Sequence, residues 1–262
     1  MRVDAAAYLG PWPFRNIEGT TRGLSAMMAE LGLDAALVSP MPAFFHADPA
    51  DANERMLRQV KGRQGLWAAP IVNLRLANAT RYIEELARNP QVRAVRLAPG
   101  FHTYPVPQER EALAVLAQRD LAAIIQLRMQ DERSHPATTF IPPAPVDEVI
   151  DLAESVPAAR VVIAAARSGE IDGERGARIR ELPNLWVDIS HIDGMSCLGR
   201  AREAVGASRL LLATSWPFFY ARSALLKTQE EGLQAEDAAM IVGGNAEKVF
   251  ALGARGAVHL RD

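Results

Sequence analysis

The chain has 262 residues, 49% of them hydrophobic and 23% charged, which is enough apolar material for one large core and excludes disorder as its main state. With 29 basic against 31 acidic side chains the formal net charge is -2, so no global field draws in nucleic acid or an anionic membrane surface. Cys197 is the only cysteine, which excludes an intrachain disulfide framework and a cysteine-rich metal site.

No apolar run approaches the roughly 20 residues that span a bilayer, and Asp4 interrupts the apolar stretch that a secretion signal would need. A cytoplasmic protein handling a small molecule is the expectation. Short apolar or β-branched runs at 2–7, 35–39, 66–73, 92–97, 122–128, 160–165, 185–189 and 209–213 predict eight strands. They are mostly apolar on both faces, as strands of a buried parallel sheet are. Between them, apolar residues recur at three and four over 20–31, 78–88, 108–118 and 146–155, which predicts amphipathic helices. Thr80 with Glu84, and Pro145 before Asp147 and Glu148, supply helix-start chemistry.

Eight strand–helix units in about 250 residues match the (β/α)8 TIM barrel, an α/β fold whose reactive groups sit on the loops after the strands. The expectation is a single domain over 1–262. No G-x-G-x-x-G or G-x-x-x-x-G-K turn follows any strand, which removes the support for a doubly wound nucleotide-binding sheet. A proline-rich stretch at 136–145, after the fifth strand, is placed to form a lid or wall.

Four segments carry a family likeness. The opening Asp4-Ala5-Ala6-Ala7-Tyr8-Leu9-Gly10 stands where D-x-H-x-H-x-G is written, and Asn184-Leu185-Trp186-Val187-Asp188-Ile189-Ser190 is similar to a seventh strand. Leu212-Ala213-Thr214-Ser215-Trp216-Pro217 matches an eighth strand ending G-[ST]-D-x-P, and Gly244-Asn245-Ala246-Glu247-Lys248-Val249-Phe250 matches a final G-N-A-x-x-[LF] helix. With these motifs the chain resembles the amidohydrolase-related family of metal-dependent barrel hydrolases and decarboxylases. The resemblance places the family's metal-ligand positions on Ala6, Tyr8, Gln126, Ala165 and Ser215. Alanine has no donor atom, and neutral serine, glutamine and phenol are poor partners for a divalent ion. No metal or other cofactor is therefore expected. Ala6 and Ala165 fill the interior, whereas Tyr8 and Gln126 carry polar tips that either touch a ligand or are satisfied within the core.

The ionisable residues at the predicted strand ends are His46, Arg96, His102, Arg128, Asp131, Glu132, Arg133, Arg167, Asp188 and His191. Arg96, Arg128 and Arg167 follow the fourth, fifth and sixth strands, so their planar forks suit a carboxylate or phosphate along one arc of the mouth, unless carboxylates such as Asp131 or Asp188 hold them. Gln126, Tyr8 and His46 complete the expected substrate contacts. Asp131, His102 and His191 are the expected proton carriers.

Two functions follow. One is a metal-independent hydrolase or lyase acting on a small carboxylated substrate, lactones being the easiest acyl groups to open without a Lewis acid. The other is a catalytically silent barrel that binds an anionic metabolite or a partner subunit. A metal site rebuilt from His46, His102 and His191 is a third reading. Trp12, Phe14, Phe44 and Phe45 are assigned either to a cover over the mouth or to a contact in a homo-oligomer.

Overall fold

The computed structural model describes residues 1–130, 136, 139–229 and 233–253. Strand β1 (Val3–Trp12) turns back through β2 (Ile17–Gly19), an antiparallel hairpin that alternation alone did not predict. A Cβ on Gly19 would stand 2.1 Å from the Tyr8 carbonyl, so the hairpin closes onto β1 only with glycine there.

The remaining barrel strands are β3 (Ala35–Pro40), β4 (Leu66–Ala68), β5 (Ile71–Val72), β6 (Ala94–Leu97), β7 (Ala122–Gln126), β8 (Val161–Ala164), β9 (Leu185–Asp188) and β10 (Leu210–Leu211). The expected run at 66–73 is thus two short strands. Pro70 has no N–H to give the ladder, so β4 pairs with β3 and β5 pairs with β6. The ladders form two blocks, in the orders β2-β1-β3-β4 and β10-β9-β8-β7-β6-β5. A few backbone bonds join them at both seams. Arg93 N donates to Ala68 O at 3.0 Å beside β4, while Ala5 N reaches Leu212 O at 2.8 Å and Tyr8 N reaches Trp216 O at 2.9 Å beyond β10. The fold is the TIM barrel expected from the sequence.

Helices on the outside are α1 (Thr21–Leu31), α2 (Ala50–Val60), α3 (Ala79–Leu86), α4 (Pro99–His102), α5 (Glu109–Gln118), α6 (Val146–Ser155), α7 (Gly173–Glu181), α8 (Cys197–Val205), α9 (Ala221–Lys227), α10 (Ala235–Ala239) and α11 (Asn245–Val249). Thr20 caps α1 by accepting from Gly23 N at 3.1 Å. Thr80 is the second residue of α3, two residues after the N-cap Asn78, which makes no side-chain cap bond. Cys197 is buried at the first residue of α8. None of the helices among the described residues is long and apolar enough to cross a membrane.

Alternate strand residues divide the core. Ala7, Val38, Val95, Ile125, Ile163 and Val187 pack outward under the helices, whereas Ala6, Tyr8, Leu37, Ile124, Val162 and Trp186 fill the interior. That alternation turns Ser39, Arg96, Gln126 and Asp188 inward at the strand ends. The proline-rich stretch, where described, packs as a wall: a Cβ on Gly100 would lie 2.2 Å from Pro142 O, and Ala144 N donates to Leu127 O at 3.2 Å.

Candidate functional site

At the axis, just inside the carboxyl ends of the strands, one cation organises the polar groups. Arg96 is fully buried; its Nε donates to Ser39 Oγ at 2.9 Å, its Nη1 donates to Gln126 Oε1, and its guanidinium lies 5.1 Å from the Tyr8 ring centroid. Tyr8 Oη donates to the same Gln126 oxygen at 3.2 Å, and Gln126 Nε2 donates to the Arg128 carbonyl. Arg96 Nη2 has no hydrogen-bond partner among the described residues. Burial pushes the Tyr8 hydroxyl up to about 12, against the pull of the Arg96 cation, so Tyr8 remains a neutral donor.

Two carboxylates flank this network. Asp4 Oδ1 accepts from Ala6 N at 3.0 Å and Thr214 N at 2.9 Å, and its Oδ2 accepts from Thr214 Oγ1 at 2.5 Å. Burial nonetheless raises its carboxyl to about 6. Asp188 takes three hydrogen bonds on one oxygen: Ala165 N at 3.2 Å, Ser190 N at 3.0 Å and Ser190 Oγ at 2.6 Å all reach Oδ1. Ser190 Oγ also lies 3.0 Å from His191 Nδ1. Because the serine proton is directed to the carboxylate, Nδ1 carries the hydrogen of that contact and Nε2 is the bare acceptor. Burial lowers the imidazole to about 4, with the Asp188 charge opposing, so His191 is neutral at pH 7. Its Nε2 has no partner among the described residues, and its ring packs edge-on against Phe219 with centroids 4.9 Å apart.

The structure separates the other expected residues. Arg128 is committed to Glu170, with Nη1 at 2.7 Å from Oε2 and Nη2 at 2.5 Å from Oε1, and Nη1 also reaches Ala165 O at 2.8 Å. Among the described residues the carboxylate that holds it is Glu170, a residue without a sequence cue. Arg167 is exposed, and its backbone N donates to Glu170 Oε2 at 2.8 Å. His46 and His102 line a cavity of about 450 Å³ over the ends of β3, β5 and β6, with Phe44, Phe45, Phe101 and Arg75. His102 Nε2 is 3.1 Å from Ala43 O, and burial pushes its imidazole below the usual range. Asp131, with Glu132, Arg133 and His135, lies outside the described residues.

A cluster of rings covers the axis. Trp12 packs against Phe14, Phe45, Phe101 and Phe218, with centroids 4.8 to 6.4 Å apart, and Tyr8 touches Phe218 at 5.7 Å and Phe44 at 6.2 Å. Sequence reasoning missed Ser39, Ser190, Thr214 and Glu170. A polar residue ending an otherwise apolar strand was the available signal for Ser39.

The amidohydrolase family model matches residues 2–252. The chain belongs to the amidohydrolase family. Solved structures agree on the fold. 5-Carboxyvanillate decarboxylase from Sphingomonas paucimobilis aligns with a TM-score of 0.74 at 15% identity, covering 95% of this chain and 98% of that one. Dihydroxybenzoic acid decarboxylase from Polaromonas, solved with manganese and the inhibitor 2-nitroresorcinol, gives 0.66 at 17% identity over 96% and 97%. An amidohydrolase from Burkholderia multivorans with bound zinc gives 0.67 at 16% identity over 96% and 99%. No curated protein sequence matches.

The residues of this chain do not fit such a metal. Among the described residues no three histidine, cysteine, aspartate or glutamate side chains converge to hold an ion. Of the five positions that the resemblance gives to ligands, Ala6 and Ala165 offer no side-chain donor, and Tyr8 and Gln126 contact a guanidinium whose charge repels a second cation.

Proposed function

We propose that this amidohydrolase-family barrel is a lyase or hydrolase acting on a small carboxylated molecule, with the Arg96 guanidinium supplying the positive charge at the axis. The observation that carries the reading is the fully buried Arg96, clamped through Nε and Nη1 while Nη2 is left without a partner. A buried donor without an acceptor is a costly feature, and an anionic oxygen removes that cost. The structurally similar decarboxylases of 5-carboxyvanillate and dihydroxybenzoic acid support a carboxylated aromatic compound as the class to try first.

His191 Nε2 serves as the base in this reading, with Ser190 and Asp188 holding its tautomer and steadying the imidazolium when it forms. In lactone opening, water loses a proton to Nε2 as its oxygen bonds to the acyl carbon. The ring C–O bond then breaks, and the departing alkoxide takes that proton back. Asp131 is a further proton carrier to be tested, whereas His102 is held to Ala43 O in the rim cavity and is given no part in this step.

The ring cluster around Trp12 favours a second reading, a binding barrel without turnover, because it screens the axis from solvent. The experiment offers 5-carboxyvanillate, 2,6-dihydroxybenzoate and a lactone panel to the protein in excess chelator, following carbon dioxide release and acid production. Turnover that His191→Gln abolishes supports the enzyme. Absence of turnover, with a melting temperature raised by the same acids, replaces it with the silent barrel.

A further inference from the structure

The cavity that holds His46 and His102 has its own lining of rings and polar groups. Phe44 lines the cavity, tilts against Phe101 with centroids 5.0 Å apart, and stands 6.2 Å from the axial Tyr8 ring. About 450 Å³ is ample for a single-ring ligand. Phe44, Phe45 and Phe101 supply flat apolar surface suited to edge or face contact with another ring.

The polar groups there are of two kinds. Arg75 is exposed, and one nitrogen is steadied by Thr103, where Nη1 donates to Oγ1 at 2.8 Å. The rest of its fork can receive an anion. His102 supplies the opposite character. Because a carbonyl only accepts, the contact with Ala43 O places the proton on Nε2 and leaves Nδ1 an acceptor. Nδ1 is buried without a partner among the described residues, and the side chain is 5% exposed. Asn73, also at the wall, is spent on the loop: its amide donates to Ala47 O at 2.8 Å and its oxygen accepts from Arg75 N at 3.0 Å.

We propose that this rim cavity is a second ligand site, separate from the axis, that binds an aromatic ring bearing one carboxylate and one hydroxyl. The ring lies against Phe45 and Phe101, the carboxylate meets Arg75, and the hydroxyl donates to His102 Nδ1.

Isothermal titration of the full chain with 3-hydroxybenzoate and 4-hydroxybenzoate tests it, with benzoate as the comparison lacking the donor. At least one hydroxybenzoate binds, and binds more tightly than benzoate. Arg75→Ala weakens it roughly tenfold, and Arg75→Lys restores part of the loss because the charge returns without the fork. His102→Phe removes the preference for the hydroxylated ring while leaving benzoate binding in place; Arg75 is exposed, so its variants report even where His102→Phe does not fold. The proposal is overturned if neither hydroxybenzoate binds, or if Arg75→Ala binds as the wild type does.

Discussion

The axis and the rim each centre on an arginine, and the two are held in opposite ways. Arg96 is fully buried, with Ser39, Gln126 and the Tyr8 ring fixing its plane, whereas Arg75 is exposed and, among the described residues, has one nitrogen steadied by Thr103. A charge taken out of water must be matched by geometry on most of its donors, and removing either side of such a network leaves the other unsatisfied. A charge at the surface keeps its hydration and carries little of the fold. Under the proposed function the axis therefore joins stability and ligand binding in the same atoms. At the rim they are separable.

The largest effect should come from breaking the axial cation. Arg96→Met removes donors from Ser39, Gln126 and the Tyr8 face at once, and destabilisation of about 3 kcal/mol is expected, read as a lower midpoint in urea unfolding. A variant as stable as the wild type would show that the network around Arg96 relaxes freely, and the contrast with the rim would fail.

The next effect concerns pH and comes from two buried groups that oppose each other. Asp4 is raised from 3.8 to about 6, so between those values the folded chain holds a proton that the unfolded chain has released; its contribution is complete below 3.8 and is lost as pH rises through 6. His191 is lowered from 6.5 to about 4, so its contribution is complete above 6.5 and is lost as pH falls toward 4. Each is worth about 3 kcal/mol over its window. From pH 4 to 6 the slopes nearly cancel. Asp4→Asn leaves the His191 slope, with stability rising by about 2 kcal/mol from pH 4.5 to 6, and His191→Gln leaves a fall of the same size. Urea midpoints at the two pH values check both signs, and variants with the wild-type slope would mean that neither group titrates as placed.

Glu170 lies between these regimes. Arg128 is 5% exposed and Glu170 29%, and although burial alone would raise the Glu170 carboxyl, the Arg128 hydrogen bonds hold it below the usual range. Glu170→Gln keeps an acceptor for the fork but loses the charge, so a loss of about 1 kcal/mol is expected at neutral pH. That group's contribution is present above the ordinary carboxylate range and fades as pH falls through it, so the wild type and Glu170→Gln converge in acid.

The sequence made the barrel legible because eight apolar runs separated by helical periods have few other solutions. Tyr8, Arg96 and Gln126 were identifiable as polar residues in apolar strands, and the structure brings all three together. The placing of His102 in a rim cavity and of His191 against Phe219 was not legible. It depends on which way Phe44 and Phe101 turn, and rotamers inside a ring cluster are set by packing across several strands. Glu170 was hidden for a similar reason: it reaches Arg128 from a 3-10 turn, Ser168–Glu170, that no apolar period marks.

The smallest stability effect is at the rim, and it makes the comparison sharpest. Arg75→Ala removes an exposed side chain whose hydrogen bond to Thr103 is itself solvent-facing, so unfolding should shift by no more than about 0.5 kcal/mol. A large shift would show Arg75 to be a structural clamp on the loops after β5 and β6, with its charge no longer free for a ligand. An unchanged midpoint, measured on the same protein whose hydroxybenzoate titration has weakened, would show that the rim gives up binding without giving up the fold, which the axial arginine cannot do.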